Sequence, residues 1–170
     1  MNKDMPIKIL LQQDVDTFYP VFTTVLKTEF PGYTPQVVQY LLNRIYTRDT
    51  LKFWVQRKEK IIIGAFENNS IVGFAVIDSP YGGVSFCRWF GILKEFQHKG
   101  FGTSLIQKWN ELALDSKAHK MEVAGQPEAK VFYEKMGFDL EGLRKASYFG
   151  IDQYLFGKIL AEPNSVNMTR

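Results

Sequence analysis

The residues best suited to chemistry lie in a short polar segment between an apolar run and a helical pattern. It reads Gln97-His98-Lys99-Gly100-Phe101-Gly102-Thr103. Glycine adopts backbone conformations that other residues avoid, and it lets a ligand approach the main chain. The first amides of the helix that follows have no intrahelical acceptor, and together with the helix dipole they attract phosphate. The segment is a candidate pyrophosphate-binding loop, to which His98 and Lys99 add positive charge.

Two familiar phosphate-binding motifs do not fit this segment. A P-loop requires Gly-x4-Gly-Lys-Ser/Thr, and the dinucleotide fingerprint requires a third glycine near position 105. Leu105 occupies that position, and neither motif is present. A lone Gly-x-Gly pair is equally compatible with a tight strand-to-helix turn that binds nothing. A second segment further along the chain is needed to decide between these interpretations.

The elements that position the loop follow from hydrophobic periodicity and turn residues. Strands are predicted over residues 5–11, 61–66, 71–77, 84–93, 121–124, 138–143 and 148–160. Helices are predicted over residues 15–30, 34–45, 102–116 and 127–136. Asp14 and Thr34 are the expected N-caps of the first two helices, and Gly137 closes the last. Residues 46–57 fit neither period well, so their structure stays open.

Two motifs occur in order along the second half of the chain. Gln97-x-x-Gly100-x-Gly102 is followed by Ala129-x-x-Phe132-Tyr133-Glu134-Lys135-Met136-Gly137-Phe138. With them the chain resembles the GCN5-related N-acetyltransferases, the GNAT superfamily. The resemblance implies an α+β fold, a mixed and mostly antiparallel sheet with splayed central strands and helices on both faces. We expect one acyl-CoA N-acyltransferase domain over residues 1–161 and a flexible tail over residues 162–170.

The resemblance also implies where acetyl-CoA binds as the acyl donor. The backbone near Ile92 and Leu93 would pair with the pantetheine arm, and the amides of the loop would hold the pyrophosphate. Gln126 replaces an asparagine common in the family, so its contact with the cofactor differs in length. The implied cofactor-binding residues are Ile92, Leu93, Gln97, His98, Lys99, Gly100, Phe101, Gly102, Thr103, Gln126 and Tyr133.

Two catalytic residues are carried over by resemblance. Tyr133 matches a tyrosine that acts as general acid beside the CoA sulfur, although a tyrosine on this helix can also serve core packing. Residues 84–90 contain no carboxylate, so the base found there in some relatives is excluded. Glu122 in Met121-Glu122-Val123 resembles a glutamate base of N-terminal acetyltransferases. Alternatively, Glu122 is an ordinary polar strand residue and an ordered water relays the proton.

Composition excludes several other classes of protein. Two distant histidines and the single Cys87 give no metal-ligand spacing, and Cys87 in an apolar run is expected to be a buried structural thiol. The net charge of +3 comes without a basic stripe, so nucleic-acid binding is not expected. No apolar run approaches a membrane span. We expect a cytoplasmic protein, with a homodimer through the late strands as an option.

The predicted function is acetyl transfer from acetyl-CoA to a primary amine by direct attack in a ternary complex. The acceptor is a peptide N-terminus, a lysine, a polyamine or another small amine. The alternative is a noncatalytic module that binds acetyl-CoA as a sensor or interaction surface. One or two of the early aromatic residues are expected to line the acceptor pocket and the others to pack in the core; the candidates are Phe30, Tyr33, Tyr46, Phe53 and Trp54.

Overall fold

A computed structural model describes residues 6–169, which form one seven-stranded sheet with helices on both faces. The strands are β1 (Ile7–Leu10), β2 (Lys60–Glu67), β3 (Ser70–Asp78), β4 (Val84–Ile92), β5 (Lys120–Gly125), β6 (Asp139–Arg144) and β7 (Gln153–Ile159). The helices are α1 (Val15–Thr28), α2 (Pro35–Tyr40), α3 (Arg48–Gln56), α4 (Phe101–Asp115), α5 (Lys130–Lys135) and α6 (Ser165–Met168). The strand order is β1-β2-β3-β4-β5-β7-β6. Neighbouring strands are antiparallel except the parallel pair β4 and β5, which confirms the expected fold class.

Each face of the sheet carries its own apolar core. Phe18 and Phe22 of α1 pack on one face against Phe74 of β3. Leu105 and Trp109 of α4 pack on the other face. The helical spacing of these side chains buries one stripe of each helix, and that burial is the main term holding the layers together.

The central strands part because β4 contains a bulge. Val76 of β3 is opposite Trp89, and Ile77 is opposite Cys87, so Arg88 is one extra residue in β4. The bulge turns Trp89 to the α1 face although Cys87, two residues earlier, faces α4. Pairing between β4 and β5 ends at Cys87 and Val123. Beyond this point the two strands diverge and leave a gap in the sheet.

Two segments differ from the sequence-based expectations or complete them. Residues 46–57, left open above, contain α3, because the Thr47 side chain accepts from the amide of Thr50 at 3.1 Å and caps the helix. The strand predicted over residues 148–160 begins only at Gln153. Before it lies a 3-10 turn, Tyr148–Gly150, in which Phe149 adopts a φ of 60°. Within residues 6–169, no helix is long and apolar enough to cross a membrane.

Candidate functional site

The start of α4 presents its amides to solvent. Gly100 is the N-cap residue with a φ of 95°, a left-handed conformation that favours glycine. The amide of Ser104 makes the first bond of the helix, to the Gly100 carbonyl at 3.1 Å. The amides of Phe101, Gly102 and Thr103 therefore precede the hydrogen-bonded part of the helix. Together with the helix dipole they form the anion-binding end that the loop sequence predicts.

Gly102 is needed for a different reason from the one expected. Its backbone is helical, so the expectation of an unusual conformation is confirmed at Gly100 and wrong at Gly102. A Cβ atom at Gly102 would lie 3.1 Å from the ring of Phe132. The missing side chain lets α5 approach the first turn of α4 closely. The two motifs of the sequence, one with Gly102 and one with Phe132, thus meet at this contact.

The side chain of Gln97 links the loop to neighbouring elements through hydrogen bonds within the protein. Its side-chain amide donates to Glu29 Oε2 at 2.7 Å and to the carbonyl of Ile92 at 3.1 Å. Glu29 is the C-cap residue of α1, so Gln97 links the loop to that helix and to the end of β4. The structure gives the Gln97 side chain a positioning contact, and the role of Gln97 in cofactor binding stays a prediction.

Of Ile92 and Leu93, the two residues predicted to pair with the pantetheine arm, only Ile92 has backbone groups that face the gap. Leu93 donates its amide to the Val72 carbonyl at 2.9 Å and accepts from Phe96 at 2.9 Å, so its backbone is used within the protein. In an antiparallel pair the backbone groups alternate in direction. Those of Phe90 and Ile92 consequently face away from β3, toward the gap beside β5. The amide of Ile92 fits the expectation, although the Ile92 carbonyl already accepts from the Gln97 side chain, and Phe90 offers a further outward amide and carbonyl.

Tyr133 lies beside this gap and is almost completely buried, with 4% of its surface exposed. Its ring packs against Phe156 at 5.0 Å, Phe138 at 5.6 Å and Phe90 at 6.2 Å between centroids. Burial raises the pKa of Tyr133 well above the usual value, with a smaller contribution from nearby Cys87. The neutral phenol is therefore the stable form throughout the physiological pH range.

Gly125 separates Tyr133 from a cavity on the other face of the sheet. A Cβ atom at Gly125 would lie 3.1 Å from Tyr133 Cε2 and 3.1 Å from the ring of Phe156. Gly125 also lines the cavity, together with Ala124 and Gln126 at the end of β5. The absence of a side chain here places the Tyr133 ring next to the cavity wall. The gap between β4 and β5 thus joins the α4 face to the α1 face.

The cavity has a volume of about 330 Å³ and is rich in aromatic side chains. Its lining residues are Phe30, Tyr33, Tyr40, Leu41, Ile45, Tyr46, Phe86, Arg88, Trp89, Ala124, Gly125, Gln126, Arg144, Tyr148, Phe149, Ile151 and Gln153. Of the five early aromatic residues named above, Phe30, Tyr33 and Tyr46 line the cavity, where one or two were expected. Trp54 packs in the α1 core, and Phe53 is 51% exposed. Sequence reasoning missed the contribution of β4, because the bulge that directs Arg88 and Trp89 here has no local signature.

Glu122 does not lie in this site. Its neighbours Met121 and Val123 face the α4 core that contains Tyr133, so Glu122 is on the opposite face of β5. It is not among the residues that line the cavity. Glu122 Oε1 instead forms an ion pair with Lys120 Nζ at 2.8 Å, and Lys120 also pairs with Glu141 at 2.8 Å. Glu122 thus shares the cavity side of β5 with Ala124 and Gln126 without lining the cavity, and Tyr133 lies on the other side. The role of Glu122 as base stays a prediction.

We expect Glu122→Gln to leave kcat/KM for acetyl transfer within about twofold of the parent value, because the Glu122 carboxylate pairs with Lys120 and is not among the residues that line the cavity. Steady-state kinetics from pH 6 to 9 will measure this. A loss of tenfold or more, accompanied by loss of the acidic limb of the pH profile, would assign Glu122 the role of base after all.

Cys87 has no features of a nucleophile. The thiol is buried, and burial raises its pKa far above the usual value. Its Sγ donates to the carbonyl of Trp89 at 3.3 Å. A nucleophilic cysteine needs an accessible thiolate, so the interpretation as a structural thiol is supported. Among residues 6–169, no group of three or more His, Cys, Asp or Glu side chains is placed to hold a metal ion.

Comparison with known protein families gives a match that covers most of the elements that form this site. A family model described as "Acetyltransferase (GNAT) domain" matches residues 50–140, slightly more than half of the chain. The chain belongs to the GNAT acetyltransferase family. The matched region contains β4, the glycine loop, α4, β5 and α5, which are the elements that form the gap and the amide-lined helix start. No curated protein matches the sequence.

Solved GNAT structures share the fold of this chain at low sequence identity. The PaiA N-acetyltransferase of Thermoplasma acidophilum, in complex with coenzyme A, has a TM-score of 0.78 and 18% identity; 92% of this chain and 100% of that chain are covered. A ribosomal-protein-alanine N-acetyltransferase from Brucella melitensis has a TM-score of 0.72, 18% identity and the same coverage. A streptothricin acetyltransferase from Bacillus anthracis, in complex with acetyl-CoA, has a TM-score of 0.58 and 20% identity, with 64% and 67% covered. At these identities the GNAT fold is what the structures share.

Proposed function

We propose that this GNAT protein is an N-acetyltransferase that moves the acetyl group of acetyl-CoA to a primary amine, with residues 1–161 as the catalytic domain. The observation that carries the proposal is the gap between β4 and β5. On one face of the sheet lies the amide-lined start of α4, and on the other lies an aromatic cavity. Tyr133 and Gly125 lie between them. A thioester held in the gap meets an amine from the cavity.

The main chain supplies most of the proposed cofactor contacts. The amides of residues 98–103 would bind the pyrophosphate, with Gly100 and Gly102 shaping the helix start. The outward backbone groups of Phe90 and Ile92 would pair with the pantetheine arm as an added strand does. Gln126 Nε2 is buried without a hydrogen-bond partner among the described residues. An unsatisfied buried donor is costly, and a carbonyl of the bound cofactor would satisfy it.

The proposed reaction needs one proton donor at the departing sulfur. The neutral amine attacks the thioester carbonyl, the new C–N bond forms and the C–S bond breaks. The Tyr133 hydroxyl donates to the sulfur, and the proton lost by the nitrogen returns to the phenolate through water. Because burial disfavours the phenolate, Tyr133 is expected to remain protonated in the resting enzyme.

The proposal is tested by thiol release from acetyl-CoA across a panel of primary amines, with the acetylated product identified by mass spectrometry. Calorimetric titration with CoA runs in parallel. Acceptor-dependent release with matching N-acetylated product supports the proposal. Micromolar binding of CoA with no release for any amine would overturn it in favour of the noncatalytic module. No binding of CoA would overturn both functions.

A further inference from the structure

The charged residues of the acceptor cavity are all of one sign. Arg88 and Arg144 are the charged side chains among the residues that line it, and Asp and Glu are absent from that set. Burial raises the pKa of both Tyr33 and Tyr46, so these lining phenols stay neutral and add no negative charge. Arg88 is paired with Asp78, which is not a lining residue, so the uncompensated charge of the lining is that of Arg144. A lining of this kind favours an anionic ligand over a polycationic one.

Arg88 is held in place while part of its guanidinium stays available. Its Nε donates to Asp78 Oδ2 at 2.5 Å, and the guanidinium lies over the ring of Phe86 at 4.6 Å. Asp78 is shared with Lys60, whose Nζ is 2.5 Å from Oδ1. The charge of Asp78 is therefore divided between two cations. The side chain of Arg88 is 46% exposed, which leaves part of the guanidinium accessible to a ligand.

Arg144 lies at the end of β6, opposite Gln153 of β7. Within the part of the chain that the structure describes, it forms no salt bridge. The cavity therefore contains an arginine whose charge is not balanced by a partner. Arginine binds carboxylate and phosphate through paired N–H groups, which makes Arg144 the stronger candidate for direct contact.

A third donor in the cavity is buried without an acceptor. Trp89 Nε1 has no hydrogen-bond partner among the described residues, although the Tyr46 hydroxyl is nearby. The indole nitrogen can only donate. A ligand that fills the cavity and satisfies this group must present an acceptor atom. The Trp89 donor thus fits a ligand oxyanion, as the arginines do, while Gln153 Oε1, a buried lining acceptor without a partner among the described residues, fits the N–H of the amine.

From this arrangement we infer that the acceptor amine carries an oxyanion, a carboxylate or a phosphate, which Arg144 and Arg88 bind while the aromatic lining holds its apolar part. The inference rests on the proposed function and narrows its substrate class. Among the acceptors considered, it favours small anionic amines and disfavours polyamines. The cavity volume of about 330 Å³ corresponds to roughly ten water molecules, which suits a small molecule.

Two matched pairs of acceptors test the inference and distinguish the two oxyanions. Phenylalanine is compared with phenethylamine, and phosphoethanolamine with ethanolamine; spermidine serves as the polycation. In at least one pair we expect the amine that carries the oxyanion to have a kcat/KM at least about tenfold higher than the amine that lacks it. Its kcat/KM should also be at least about tenfold higher than that of spermidine. Equal rates within both pairs, or spermidine as the best acceptor, would overturn the inference while leaving acetyl transfer established.

The variant Arg144→Gln separates direct binding from a general charge effect. It is expected to lower kcat/KM for the preferred anionic acceptor by about tenfold or more, with a smaller change for the neutral partner and an unchanged Kd for CoA. Lys145→Gln removes the charge of a neighbouring exposed residue that pairs with Asp152. Neither its kcat/KM for the two acceptors nor its Kd for CoA should change. Equal losses for anionic and neutral acceptors in Arg144→Gln would contradict the assignment.

A binding measurement keeps the inference testable if no turnover is found. N-acetylphenylalanine and N-acetylphenethylamine are titrated calorimetrically into the protein saturated with CoA, as are N-acetylphosphoethanolamine and N-acetylethanolamine. Tighter binding of the anionic member of either pair, lost in Arg144→Gln, supports the anion site independently of catalysis. Equal binding within both pairs would overturn it.

Discussion

Tyr133→Phe is expected to lower kcat for acetyl transfer by about 10²–10⁴-fold while leaving the Kd for CoA nearly unchanged. The substitution removes only the hydroxyl, and the ring keeps its contacts with Phe156, Phe138 and Phe90. Without that hydroxyl the thiolate must leave without a proton donor. Steady-state kinetics with saturating amine and calorimetry with CoA will measure the two quantities separately.

Two controls make this first prediction specific. Tyr81→Phe removes the hydroxyl of a tyrosine that is 91% exposed, and its kcat should equal that of the parent protein. Thermal unfolding of Tyr133→Phe should show a Tm close to the parent value. Because the pKa of Tyr133 is raised, its ionisation should give no inflection in the parent pH profile below about pH 10. Unchanged kcat in the variant would show that Tyr133 is only a packing residue.

Gly102→Val is expected to raise the Kd for CoA by at least about tenfold, which corresponds to about 1.4 kcal/mol. A Cβ at this position already lies 3.1 Å from Phe132, and the branched side chain forces α4 and α5 apart. The amides at the start of α4 then lose the geometry in which they converge on the pyrophosphate. Calorimetry with CoA and with desulfo-CoA will measure the loss, since both ligands carry the same pyrophosphate.

The matched control for Gly102→Val is Gly142→Val on β6. A Cβ at Gly142 meets no atom within 4 Å, so the added side chain enters open space. The Kd for CoA in this variant should equal the parent value. An unchanged Kd in a folded Gly102→Val protein would mean that the pyrophosphate binds away from the start of α4.

The turn from β4 into α4 and the N-cap role of Gly100 could be predicted from sequence because their signal is local. Gly100 and Gly102 come directly before apolar residues at helical spacing. The second motif, which contains Phe132 and Tyr133, follows them along the chain. The reason for Gly102 was not visible, because its contact with Phe132 forms between two helices. Gln97 likewise gains its partner, Glu29, from an element 68 residues away.

The aromatic cavity could not be predicted, because non-local features build it. The bulge at Arg88 depends on the register between β3 and β4, and Arg144 reaches the cavity through the pairing of β6 with β7. Glu122 is a different case. Met121 and Val123 are apolar neighbours in a strand, and their alternation already indicates that Glu122 faces the other side. That side is the one on which Ala124 and Gln126 line the cavity, so the local pattern is compatible with the predicted base, and its role stays a prediction.

A crystal structure with CoA and the preferred acceptor is the most direct test of the account. It should show pyrophosphate oxygens about 3 Å from the amides of residues 98–103 and the sulfur in the gap between β4 and β5, about 3–3.5 Å from the Tyr133 hydroxyl. The acceptor should occupy the aromatic cavity on the other side of Gly125. CoA bound elsewhere, or a sulfur that the Tyr133 hydroxyl does not reach, would contradict it.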